Sequence, residues 1–203
     1  MPALTFTIPS GVKLSRTCGA YANSGHPAES VHIFNTGFDH NGYPCDDPED
    51  GRMYIAACST DMYMLGIVAM EYAEGEFPGD FEVAIPKDVF AVMEAQGSIT
   101  IERTEDGSIA ITGMAECKSM HLRKQVMRIT ERREGTLAPT WGFDLGLFDK
   151  VFNNLIGKGV RARSQRRIEM ITANDVFRPA GFTWDYPDSR DHRGFAIVMP
   201  NRK

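Results

Sequence analysis

The sequence has no run of apolar residues near the roughly 18 needed to cross a bilayer, and Met1–Ile8 lacks the basic-then-apolar order of a secretory leader. Neither a membrane span nor an export signal is expected. Cysteine is sparse: Cys18, Cys45, Cys58 and Cys117 are scattered and never form a CxxC pair. A chain of 203 residues can bury a core without disulfide staples. The four read as reduced thiols of a cytoplasmic protein. No GxSxG, HExxH or GxxxxGK[ST] occurs, so nucleophile elbows, zinc-protease helices and phosphate-binding loops lack their signatures. An enzyme is not expected, nor a cofactor. Overall positive charge is also missing. Twenty-two Lys and Arg stand against 27 Asp and Glu, a formal charge of -5, which argues against a protein that coats nucleic acid.

The charge that is present is unevenly placed. Residues 118–133 hold Lys118, Arg123, Lys124, Arg128, Arg132 and Arg133 against Glu131, and residues 158–167 hold Lys158, Arg161, Arg163, Arg166 and Arg167 with no acid. Acids collect instead at Asp39–Asp50 and Glu71–Glu82. Local basic faces on an acidic protein can still guide a phosphate encounter, because the near field acts before the total. Solvated strand or loop faces are the alternative for both basic segments.

One unit recurs along the chain. Leu4–Ile8 alternates like a strand, and Pro9 opens a stretch with apolar residues at helical spacing toward Tyr21. Phe81–Ile85 alternates likewise, Pro86 opens a helix over Lys87–Ala95, and Gly97 stops it. A third helix is expected from Gly146 to Ile156, with Asp144 as N-cap and Gly157 as its end. Strand-like text follows each. Ser98–Arg103 and Ser108–Thr112 flank Glu105-Asp106-Gly107 as a hairpin. Val160–Ser164, Arg167–Thr172, Gly181–Asp185 and Phe195–Met199 follow the third, and Ser30–Phe34 and Met53–Met70 follow the first, interrupted by a polar, mobile loop at Asp39–Gly51. The pattern is strand–helix–three strands, three times over. It predicts an α+β fold of mostly antiparallel sheets with helices on one face. Residues 1–127 make one domain of two modules, 128–142 a connector, and 143–203 a shortened second domain.

Several residues admit a chemical role. His26, His32, His40 and Cys45 could ligate zinc, but their spacing fits no zinc pattern. Asp46-Asp47-Pro48-Glu49-Asp50-Gly51 does not fit a calcium loop. Asp46 and Asp47 could serve a metal-dependent nuclease or hydrolase, although a loop lacks the rigid frame such a site requires. Trp141 and Trp184 read as packing anchors, with base stacking as the alternative for Trp184.

Three stretches together resemble the DNA polymerase III beta-subunit family of sliding clamps, in a compact, phage-like version. Met53–Leu65 is similar to that family's strand ending in a Thr-Asp-x-x-x-Leu turn. Val83-Ala84-Ile85-Pro86-Lys87 is similar to its strand, Ile-Pro-Lys and helix. Phe195–Arg202 is similar to its Val-Met-Pro-x-Arg segment. The resemblance is good over 53–112 and 143–203 and loose over 1–52, and the family's subunits carry more modules than three. It implies a non-enzymatic processivity factor: a homo-oligomer, trimer or dimer, that encircles double-stranded DNA without sequence preference and docks peptides of a DNA polymerase and clamp loader. The implied DNA-facing residues are Lys13, Arg16, Lys87, Lys150 and Lys158 on helices, with Arg123, Lys124, Arg161 and Arg163 from the denser segments. The implied peptide pocket is Thr60, Leu65, Ile197, Met199 and Pro200. A clamp-fold protein that captures such peptides without encircling DNA is the second reading.

Overall fold

The computed structural model describes residues 4–9, 11–20, 26–40, 42–71, 81–103, 109–111, 122–131, 145–156, 169–171, 180–185 and 192–199. Its strands are β1 (Leu4–Thr7), β2 (Ser30–Phe38), β3 (Pro44–Cys45), β4 (Tyr54–Thr60), β5 (Met64–Glu71), β6 (Glu82–Pro86), β7 (Ser98–Arg103), β8 (Ile109–Ile111), β9 (Glu169–Ile171), β10 (Ala180–Asp185) and β11 (His192–Val198). Among the described residues three α-helices accompany them: α1 (Lys87–Gln96), α2 (Leu122–Glu131) and α3 (Leu145–Lys150), the last running on as a π-helix over Val151–Ile156. Every described strand pairing is antiparallel. The expected α+β class is the observed one.

The modules exchange their first strands. β1 leaves the strands that follow it and pairs with β7, in a sheet ordered β1-β7-β8. β6 does the reverse and pairs with β2, Val31 opposite Ile85. β2 belongs to a larger sheet ordered β3-β2-β4-β5-β11-β10-β9. The first two modules are therefore interlocked, and unfolding one strips a strand from the other.

Period-2 alternation decides how the larger sheet is buried. On one face, Val31, Ile33, Ile55, Ala57, Val68, Ala196 and Val198 meet Phe90 and Met93 of α1, Leu14, and Val151 and Leu155 of the π-helix. On the other, Phe34, Ala56, Cys58, Leu65, Ile67, Phe195 and Ile197 meet Tyr43 and Leu122 and Val126 of α2. Both faces are apolar because both are covered.

Four expectations are corrected or refined here. The helix expected after Pro9 is only a 3₁₀ turn, Leu14–Thr17. Gly11 has φ of +84°, outside helical space. Ser15 is drawn instead to the buried Glu94 of α1, which accepts its N–H at 3.0 Å and its hydroxyl at 2.5 Å. Residues 122–131, read as strand or loop, are helical: Leu122, Val126 and Met127 are buried while Lys124 and Arg128 are exposed, an apolar stripe at helical spacing. That helix packs on the face opposite α1, so helices are not confined to one side. The described residues of the 39–51 loop, expected to be mobile, are held at several points. Asp39 and Tyr43 exchange two backbone-anchored hydrogen bonds of 2.8 Å, Pro44–Cys45 adds to β2, and Pro48 sits where a side chain on Gly37 would be, 2.5 Å from its ideal Cβ. Pro86 ends β6 as the N-cap of α1, and Gly97 closes the helix with φ of +79° and a 2.9 Å bond to Met93 O, as expected. The elements expected at 143–144 and 160–164, the Asp-Gly turn, Cys117 and Trp141 lie outside the described residues.

Candidate functional site

The β4–β5 turn is built by two side chains. Thr60 Oγ1 donates to Met64 O at 2.7 Å and accepts the Met62 N–H at 3.0 Å. Asp61 Oδ1 accepts the N–H groups of Tyr63 and Met64 at 3.1 and 2.8 Å, and its Oδ2 is ion-paired with Lys150 of α3. These bonds hold Met62 at φ of +74°, a left-handed conformation that a non-glycine residue adopts only when its surroundings enforce it. The turn thereby pushes Met62 and Tyr63 into solvent, 53% and 66% exposed.

β11 runs beside this turn. Ile197 faces Leu65 across the β5–β11 seam, and Met199 N donates to Tyr63 O at 2.9 Å, carrying the pairing one residue past the strand. From the side, α2 contributes Leu122 and Gln125. The result is a cavity of about 100 Å³ lined by Thr60, Met62, Tyr63, Met64, Leu65, Leu122, Gln125, Ile197 and Met199. Its wall is mainly apolar, and its volume suits one or two apolar side chains rather than a cofactor, for which clefts of ~300–1,000 Å³ are usual. Thr60, Leu65, Ile197 and Met199, singled out in the sequence, are brought together. Pro200 lies outside the described residues.

Sequence reasoning missed Met62, Tyr63, Met64, Leu122 and Gln125. The first three are interior to the quoted stretch and carried no motif. Leu122 and Gln125 required recognising α2, whose Leu122–Val126 spacing was the available signal.

Helix α2 is anchored at its N-terminus. Glu82 of β6 accepts the N–H groups of Leu122 at 2.7 Å and Arg123 at 3.3 Å and meets Nδ1 of the fully buried His32 at 3.0 Å. A carboxylate at that end satisfies N–H groups that have no partner inside the helix and opposes the helix dipole. Arg123 adds a second anchor, donating from Nε to Asn35 O at 2.9 Å and pairing with Asp46 at 2.5 Å.

Among the described residues, the cationic candidates do not form one surface. Lys13, Arg16, Lys87 and Lys150 belong to the α1–α3 face, and Arg123 and Lys124 to the other. Lys87 donates to Gly19 O at 3.2 Å and lies 3.9 Å from Glu29, and Lys150 meets Asp61. The Arg123 side chain is only 13% exposed. Arg16 and Lys124 are exposed and Lys13 half-buried. Lys158, Arg161 and Arg163 lie outside the described residues.

Among the described residues no three His, Cys, Asp or Glu groups converge on a metal position. His26 accepts Ala28 N–H, His32 meets Glu82, and His40 lies 3.7 Å from Glu49, so the zinc candidates are separately engaged. Cys18, Cys45 and Cys58 are free thiols. Burial pushes the Cys18 thiol up to about 12 and Cys45 to about 11, and raises that of the buried Cys58 as well, so none is a nucleophile at neutral pH. Trp184 is buried against Gly194, in a packing role. No described helix is long and apolar enough to cross a membrane.

With its antiparallel sheets and few helices, the chain has the fold of the sliding clamps. The Helicobacter pylori beta clamp superposes with a TM-score of 0.50 at 8% identity, over 98% of this chain and 67% of that chain. Caulobacter crescentus pol III beta gives 0.49 at 13% identity, over 100% of this chain and 66% of that one. The DNA polymerase III subunit beta of Pseudomonas aeruginosa gives 0.48 at 12% identity, over 100% and 66%. The chain thus spans about two thirds of the length of these clamps. No family model matches the sequence, and no curated protein matches it.

Proposed function

We propose that this chain is a clamp-type tethering factor, which docks short apolar segments of replication proteins, a DNA polymerase and its clamp loader among them, and holds them on duplex DNA. The single observation behind this reading is the cavity at the β5–β11 seam, where the Thr60–Leu65 turn, Ile197 and Met199 converge beside the exposed Met62 and Tyr63. An apolar anchor inserted there leaves water, and methionine walls can repack around different anchors. The work is binding, with no bond made or broken. DNA passes through an opening in a homo-oligomer, a dimer or trimer, and is held by sequence-blind phosphate contacts from Lys13, Arg16, Lys87, Lys150 and Lys158, with Arg123, Lys124, Arg161 and Arg163 contributing. Residues 1–127 form one clamp-like domain and 143–203 a shortened second one, with the β5–β11 seam as their junction.

The docking half is tested by titrating a fluorescein-labelled Ala-Leu-Ser-Leu-Phe peptide and reading anisotropy. Saturable binding, weakened about tenfold by Met199→Ala and unchanged by Val92→Ala on the exposed side of α1, is the expected result. No binding, or equal loss in both variants, would overturn it.

A second reading has its own support. Lys87 and Lys150, which would face DNA, are already matched by Glu29 and Asp61. A clamp-fold protein that captures peptides without enclosing DNA needs no basic lining. Peptide binding without topological retention on DNA would favour it.

A further inference from the structure

The ion pair between Lys150 and Asp61 joins two surfaces to which the proposed function gives different ligands. Lys150 ends α3, on the sheet face that carries α1 and the 3₁₀ turn. Asp61 belongs to the turn lining the cavity. Its carboxylate is only 9% exposed, and Oδ1 already receives two backbone N–H groups. Lys150 remains 42% exposed, so its ammonium can be reached from solvent. Lys13 is tied to the same stretch of chain by its backbone: its N–H donates at 2.5 Å to the carbonyl of Asn154 in the π-helix that continues α3.

A phosphate that reaches the half-exposed Lys150 ammonium therefore competes with Asp61 for it. When Asp61 loses this ammonium, a nearly buried carboxylate gives up a charged partner, and the turn it organises becomes easier to distort. That turn holds Met62 in its left-handed conformation and presents Tyr63 O to Met199 N, so the cavity loosens with it.

We propose that Lys150 is a cation shared between the helix face and the docking cavity, so that duplex DNA on the one and a peptide in the other weaken each other's binding. This inference rests on the docking and DNA-holding reading above and adds its regulation. Lys150 acts as a positioning residue for the cavity, and by linkage the two ligands must affect one another by the same factor.

The test titrates the labelled Ala-Leu-Ser-Leu-Phe peptide into the full chain with and without a saturating blunt duplex, and the duplex with and without the peptide. In the wild type each ligand is expected to weaken the other about threefold, the modest size that a half-exposed ion pair allows. Lys150→Met should weaken the peptide by about the same factor without DNA and erase the mutual effect. Lys150→Arg should restore both, which a merely structural loss would not. Asp61→Asn approaches from the other partner and should also erase the effect, provided its thermal unfolding stays near wild type. Two ligands that both bind without influencing each other would overturn the linkage and leave the docking reading intact. Binding of the peptide but no duplex would overturn it too. Failure of the peptide to bind the wild type would instead sink the docking reading, and the linkage with it.

Discussion

Gly66 and Gly194 lack side chains because their neighbours occupy the space. A Cβ on Gly66 would lie 2.3 Å from Leu155 Cδ1, and one on Gly194 would lie 1.9 Å from Trp184 Cε2. The indole is buried and cannot swing away, whereas Leu155 offers the end of a flexible side chain. Gly194→Ala is therefore expected to destabilise the protein by roughly 1–3 kcal/mol, and Gly66→Ala by less. Urea midpoints would show it, and an unchanged midpoint for Gly194→Ala would contradict the packing. The Cys18 thiol supplies a pH test. Its value near 12 is set first by burial, against which Lys87 pulls the other way. A folded value raised above the unfolded one leaves stability intact below the ordinary thiol range and removes it as pH climbs toward 12. Denaturation midpoints should fall over that range, and less steeply in Cys18→Ala. At this scale the sequence disclosed Thr60, Leu65, Ile197 and Met199 through the stretches they sit in. Tyr63, Gln125 and the Lys150–Asp61 pair depend on which residues meet in space, and no local pattern announces that.

Elements were legible where period and punctuation agree. β6, α1, β7 and β8 follow from alternation, Pro86, helical spacing and Gly97, all consistent with one another. The stretch 10–21 carried helical spacing too, but Gly11 and the pull of Glu94 on Ser15 left one 3₁₀ turn. In 118–133 the density of charge masked the amphipathic helix 122–131, whose apolar stripe is short. That helix matters, since Leu122 and Gln125 wall the cavity. Glu82→Ala removes the acceptor of its first two N–H groups. The expected cost is about 1–2 kcal/mol, as for other lost caps, with faster hydrogen exchange at Leu122–Val126 and weaker peptide binding. Glu82→Gln should recover part of both. Exchange rates that match wild type would show that α2 is held by its apolar face alone.

The molecule as a whole is organised by exchange and by a seam. β1 and β6 lock the first two modules together, and the β5–β11 pairing fuses the third to them, bringing Thr60 beside Met199 across most of the sequence. The repeated unit was readable from sequence because each copy repeats its local signals. The strand exchange was not, since alternation says that a segment is a strand and nothing about which strand it pairs with. Tethering on DNA is a property of this largest scale, and its signature is topological. The most direct measurement is retention on a closed circular duplex, compared before and after a restriction cut, at a salt concentration that suppresses loose phosphate binding. A ring that encloses DNA stays on the circle and runs off once the duplex is linear. Equal retention on both forms, or none on either, would contradict the account.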